Sequence, residues 1–146
     1  MSRGYFGIGI FNAKIETNLG TLWRSAQSLG ANFMFTIGRR YQPQCSDTTK
    51  VWRHLPLFYF PSFDDLILPY EAQLVGIEIV EGATPLPQFF HPERAVYLLG
   101  AEDDGLPESI TERCQHIVTI PGAYCLNVAV AGSIVLYDRV AKNGKY

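Results

Sequence analysis

The chain is poor in cysteine and in long apolar runs, and both shortages narrow its class. Three cysteines, Cys45, Cys114 and Cys125, occur among 146 residues, an odd number with no Cys-x-x-Cys spacing. That pattern supports neither a disulfide framework nor a zinc site and fits free thiols in a reducing compartment. No apolar run approaches the roughly 20 residues of a membrane span, and no charged segment followed by a long apolar one opens the chain. A soluble, cytoplasmic protein with neither membrane nor metal is expected. Phosphate-binding signatures are missing too. Gly-Lys-Ser/Thr does not occur, and Gly7-Ile8-Gly9 lacks the third glycine and the helix start of a dinucleotide fingerprint. Repeats and low-complexity segments are also absent.

What is present is an ordinary globular composition, 47% hydrophobic and 18% charged, in a length suited to one domain spanning residues 1–146. The net charge of −2 is small, but it is unevenly spread. Residues 1–60 hold seven basic and two acidic side chains, and residues 61–146 hold five basic and twelve acidic ones. An acidic protein of this kind can carry one positive face, although chance segregation gives the same numbers.

Apolar segments alternate with helical patterns. Strands are expected at Tyr5–Phe11, Asn32–Ile37, Leu74–Val80, Ala95–Leu99 and His116–Ile120. Helices are expected over Leu19–Leu29, with Asn18 as cap and Gly30 as stop, and over Ser46–Trp52, Ser62–Leu68, Pro107–Glu112 and Leu126–Lys142. Leu57–Phe60 is a short apolar piece between prolines. The alternation implies an α/β fold, a mostly parallel sheet with helices on both faces.

Three segments carry chemistry-bearing residues at strand ends or helix starts. The first runs from Asn18 to Gly30 and holds Gly20 and Arg24, the second from Leu98 to Leu106 and holds Gly100 and Glu102, and the third from Ile120 to Ala131 and holds Cys125, Leu126 and Asn127. Arg24 shares a helical face with Gly20, and read alone it is as easily a surface charge as a functional group. Glu102 begins a run of acids without calcium-loop spacing. Read alone, Asn127 is a helix cap, and Ile120 and Leu126 are core.

In order and spacing these segments resemble the three motifs of the SpoU (TrmH-like) ribose methyltransferases of the SPOUT superfamily, across roughly residues 5 to 142. The resemblance implies a C-terminal deep trefoil knot, which no generic argument would supply. It implies S-adenosylmethionine as cofactor, with Gly100, Ile120, Leu126, Ile77 and Leu99 around it. It implies a catalytic group of Arg24, Asn18, Glu102 and Asn127, with Arg24 gripping a phosphate and positioning a ribose 2′-hydroxyl, and Glu102 holding Arg24 or the motif loops. Cys125 stands where the family usually has serine, at an RNA-contacting position, and Gly122 where it often has methionine. Arg39, Arg40 and Arg53 are further candidate RNA contacts, ahead of Trp52. His54, His91 and His116 show no ligand spacing. The chain is similar to the short TrmL-like members, so tRNA is the first expected substrate and rRNA the second, with a homodimer as the working unit. Alternatives are a catalytically silent RNA-binding or assembly protein of the same fold, and an unrelated α/β enzyme.

Overall fold

The structure, a computed structural model, describes residues 4–41 and 55–144. The helix expected over Ser46–Trp52, together with Trp52, Arg53 and His54, lies outside the described residues. Among those described, β1 (Tyr5–Phe11), β2 (Phe33–Ile37), β3 (Leu57–Phe60), β4 (Gln73–Ile77), β5 (Thr84–Pro85), β6 (Arg94–Leu99) and β7 (His116–Thr119) form one sheet. Its order is β3-β2-β1-β6-β4-β7-β5, and every pairing is parallel. Three α-helices accompany it, α1 (Glu16–Ser28), α2 (Glu108–Thr111) and α3 (Val128–Asn143).

Alternation along each strand sends side chains to two faces. Phe6, Ile8 and Ile10 of β1, Met34 of β2, Val75 of β4 and Tyr97 of β6 meet Leu19, Leu22 and Trp23 of α1 and Val135 and Leu136 of α3. Phe33, Phe35, Leu74, Val96 and Leu98 turn the other way, toward Ile110 of α2 and the 3-10 turn Phe63–Asp65. On that second face β1 presents Gly7 and Gly9, between Tyr5 and Phe11 at its two ends. A Cβ at Gly7 would lie 2.2 Å from the Phe33 ring, and one at Gly9 2.4 Å from the Phe35 ring. The Gly-Ile-Gly run is therefore a seat for two neighbouring phenylalanine rings.

Several boundaries differ from the sequence reading for local reasons. Helix α1 begins at Glu16, because extended Ile15 starts it and the Asn18 N–H already bonds the Ile15 carbonyl at 3.1 Å. Asn18 is thus inside the first turn, buried, and not a cap. The expected helix Ser62–Leu68 is one turn closed by a reciprocal Ser62–Asp65 capping box, and the chain is already extended at Leu66. Leu57–Phe60 completes the sheet as an edge strand, and the two-residue β5, half of it proline, is too short to be read from pattern.

Helix α3 is fastened at its far end. Arg139 is fully buried, donates to the Pro92 and Glu93 carbonyls at 2.7 and 2.8 Å, and lies over the Phe6 ring. His91, set aside in the sequence reading, sits 2.7 Å from both the Tyr97 hydroxyl and the Asp138 carboxylate. Burial lowers its pKa more than Asp138 raises it. The neutral ring then donates from Nε2 to Asp138 and accepts the Tyr97 O–H at Nδ1.

Candidate functional site

Because the sheet is parallel, β4, β6 and β7 all end on one edge, with Ile77 paired to Leu99 on one side and to Val118 on the other. Ligand crevices form where such strands end. Here a cavity of about 230 Å³ lies between the segments that follow these three strands and the start of α3. Ile77, Leu99, Gly100, Ile120 and Leu126, the five residues expected around a cofactor, all line it, and so do Cys125 and Glu102. Cys125 is exposed.

The loop after β6 folds back on itself. Ala101 and Gly105 form an antiparallel bridge, with the Gly105 N–H on the Ala101 carbonyl at 3.1 Å. A Cβ at Gly100 would lie 2.1 Å from the Gly105 carbonyl carbon. The glycine at position 100 is thus required by the loop's own closure.

A chain of side-chain hydrogen bonds joins the three segments. Asn127 caps α3, its Oδ1 accepting from the N–H groups of Ala129 at 2.9 Å and Val130 at 3.2 Å. That fixes its amide orientation, so its Nδ2 donates to Asn18 Oδ1 at 3.0 Å. Asn18 Nδ2 is then aimed at an acceptor, and it donates to Glu102 Oε1 at 2.7 Å. The other Glu102 oxygen accepts the Lys14 N–H at 3.2 Å. Burial opposes ionisation of Glu102, but the bonds from Asn18 and from the backbone of its own loop, Lys14 and Ile15 outweigh it, and the carboxyl is held below its ordinary value. Of the two partners expected for Glu102, the structure provides the loops and not Arg24.

Arg24 is exposed, on the outward stripe of α1 with Thr21 and Gln27, while Asn18, Leu22 and Ala26 face inward. Beside that stripe, Thr21 and the α3 residues Val130, Ser133, Ile134 and Tyr137 line an apolar groove of about 440 Å³. Val130, Ile134 and Tyr137 are 46%, 37% and 64% exposed, unusual for large apolar residues on one helix. The two other candidate arginines, Arg39 and Arg40, follow the C-terminal end of β2. Arg39 donates to the carbonyls of Ala13 and Lys14, and the Arg40 guanidinium sits 4.6 Å from the centre of the Tyr59 ring. Lys14 pairs with Asp103 at 3.5 Å and Asp104 at 2.9 Å, both exposed. Among the described residues no group of His, Cys, Asp and Glu side chains is placed to hold a metal ion, and no helix is long and apolar enough to cross a membrane.

Several cavity residues were not singled out from sequence, Glu78, Ile79 and Thr119 among them, and Glu78 is the charged one. Glu78, directly after β4, lines the cavity and accepts the Leu106 N–H at 2.6 Å and the Ile79 N–H at 2.9 Å. A carboxylate at the open end of a buried apolar strand was the available signal.

Comparison with known proteins gives a consistent result. The profile of the SpoU rRNA Methylase family matches residues 6–137. A tRNA (cytidine(34)-2'-O)-methyltransferase of Ancylobacter novellus is 29% identical over 152 residues, covering 95% of this chain and 94% of that protein. A solved structure concerning 2-OH methylation of C/U34 on tRNA superposes with a TM-score of 0.82 at 25% identity, over 99% of this chain and 100% of the other. The AdoMet-bound rRNA methyltransferase of Sinorhizobium meliloti shares the fold, with a TM-score of 0.84 at 22% identity. This chain spans 57% of that one.

Proposed function

The chain belongs to the SpoU rRNA Methylase family, and from that premise we propose that it is an S-adenosylmethionine-dependent methyltransferase acting on a ribose 2′-hydroxyl of RNA, with tRNA the first substrate and rRNA the second. The observation that carries the reading is the unbroken Asn127–Asn18–Glu102 chain beside the strand-end cavity. It ties three segments remote in sequence into one site. The cavity suits the cofactor chemically. Its apolar walls (Ile77, Leu99, Ile120 and Leu126) match a flat base, and the side chains of Glu102, Asp103 and Asp104 favour a positive charge, with no Lys or Arg of the described residues in the lining. At about 230 Å³ it is somewhat smaller than most small-molecule sites and admits part of such a ligand, the rest lying at its mouth.

When bound, S-adenosylmethionine supplies an electrophilic methyl group. The protein's own work is alignment and release of the hydroxyl proton. Glu102, Asn18 and Asn127 hold the loops that shape the cavity. Arg24, the exposed cation on α1, grips the phosphate beside the acceptor ribose in a bidentate fork and orients the hydroxyl. Cys125 lies at the cavity rim, where a thiol makes a weaker contact to RNA than a hydroxyl would.

The reading treats residues 1–146 as one domain with a knotted C-terminus. Support for the knot comes from the path of the chain. β7 pairs with β4, yet α3 returns to α1 and β1, where a Cβ on Gly132 would touch Leu22 and Ile8. Residues 120–127 therefore cross back beside the Gly100–Leu106 loop. A homodimer is part of the same reading, supported by the exposed apolar stripe of α3. Cytoplasmic work on tRNA follows from the substrate.

The test is methyl transfer from labelled cofactor to tRNA and to rRNA, with digestion and mass spectrometry to locate a 2′-O-methylnucleoside. Calorimetry with cofactor alone runs beside it. Cofactor binding without transfer to either RNA would favour a silent RNA-binding protein; no binding and no transfer would sink the reading.

A further inference from the structure

Glu78 belongs to none of the three motif segments, yet its carboxylate is committed to one of them. It stands one residue beyond β4, next to the pair Ile77–Leu99, so the sheet itself brings it beside the start of the Gly100–Leu106 loop. Oε2 accepts the Leu106 N–H at 2.6 Å, a short charge-assisted bond, and Oε1 accepts the Ile79 N–H at 2.9 Å. Gly105 has φ +65° and its missing Cβ would fall 2.3 Å from Oε2. The glycine therefore serves both the left-handed backbone and the seat of the carboxylate. Among the described residues Glu78 makes no ion pair, in contrast to Asp103 and Asp104 on the same loop, which pair with Lys14.

The loop thus has two carboxylate anchors. Glu102 ties its outgoing limb to α1, and Glu78 ties its returning limb to β4. The cavity lies between them, lined by both. We infer that Glu78 is a positioning residue for the cofactor site, fixing the returning limb of the loop so that the cavity has its binding shape before any ligand arrives. This rests on the proposed cofactor site, and preorganisation of that kind acts on affinity and not on the chemical step.

Two readouts separate the assignment from the reading beneath it. In the protein without ligand, E78A accelerates hydrogen exchange of the Leu106 amide while amides of β6 keep the parent's protection. With ligand, E78A weakens S-adenosylmethionine and its demethylated product alike by about tenfold or more in calorimetry, the value of a lost charge-assisted bond. Turnover at saturating cofactor stays near the parent's, so the loss is in KM. E78Q keeps one acceptor and falls between. Unchanged Leu106 exchange in E78A, or cofactor affinity within twofold of the parent, overturns the assignment. Should E78A fail to fold, E78Q with parental exchange and parental affinity overturns it equally. A parent protein that binds no cofactor would sink the functional reading, while the exchange measurement still decides whether Glu78 braces the loop.

Discussion

The cavity at the ends of β4, β6 and β7 and the outward face of α1 carry the two halves of the proposed chemistry, and they are built in opposite ways. The cavity is over-determined. Its loops are closed by a backbone bridge, linked through Asn18, Glu102 and Asn127, and braced by Glu78. The α1 face offers one exposed arginine beside an apolar groove. On the proposed function a single chain completes the small-molecule site and half of the RNA site, and a second copy and the RNA itself would cover the rest of that face.

The largest effect expected from this contrast is at Arg24. Arg24→Ala should leave cofactor affinity nearly unchanged and cut single-turnover methyl transfer by at least ~10²-fold. Arg24→Lys should not restore it, because a point charge does not reproduce a bidentate fork. Near-parental transfer by Arg24→Ala would leave the cavity without a catalytic neighbour. The next effect is on assembly. A charge in the exposed groove, as in Ile134→Glu, should convert a dimer to a monomer in sedimentation and abolish transfer while cofactor still binds. An obligate interface buries roughly 2,000 Å² or more, and one buried charge without a partner is enough to oppose it. A parent that sediments as an active monomer would remove the dimer from the proposal.

The sequence was informative where local pattern and motif order agree. The parallel α/β sheet follows from alternation, and five residues drawn from three segments do surround one cavity. It was silent where a residue's role depends on a distant partner. Asn18 has the composition of a cap, and only Glu102, 84 positions away, shows that it is a buried link instead. Glu78 meets Leu106 across 28 positions, and His91 meets Asp138 across 47. Gly7, Gly9 and Gly100 are all invisible in this sense, because a glycine's reason is the atom that takes the place of its side chain.

An intermediate effect is expected in the linking chain. Asn18→Ala leaves the Asn127 amide and the Glu102 carboxylate without their shared partner, at a cost of about 1–3 kcal/mol in denaturant unfolding. Glu102→Gln is subtler, since one of two acceptors becomes a donor facing either the Asn18 amide or the Lys14 N–H. The parent carboxyl ionises below its ordinary value. Its stabilising contribution is full above the ordinary carboxylate range, about pH 4, and disappears as the pH falls through the lower, folded value. Glu102→Gln should therefore be less stable than the parent at neutral pH, and the gap should close in acid. A gap of constant size across that range would mean that the charge on Glu102 contributes nothing to the link.

The smallest effect separates two adjacent arginines. Both were candidates for RNA contact, but their guanidinium groups are placed differently. Arg39 is half-buried and donates to the Ala13 and Lys14 carbonyls, in the segment that leads into α1. The Lys14 peptide is thereby held from two sides, by Glu102 at its N–H and Arg39 at its carbonyl. Arg40 is exposed, and its guanidinium stacks over the Tyr59 ring. A phosphate contact contributes about 0.9 to the slope of log affinity against log salt on a duplex and about 0.7 on a single strand. Arg40→Ala should lower the slope for RNA by about that amount, with turnover at saturating RNA unchanged. Arg39→Ala should barely move the slope, because its guanidinium is engaged with carbonyls of its own chain, and should instead loosen the entry to α1, seen as faster exchange of the Asn18 amide. Equal loss of slope in the two variants would place Arg39 on the RNA and extend the α1 face as far as the end of β2.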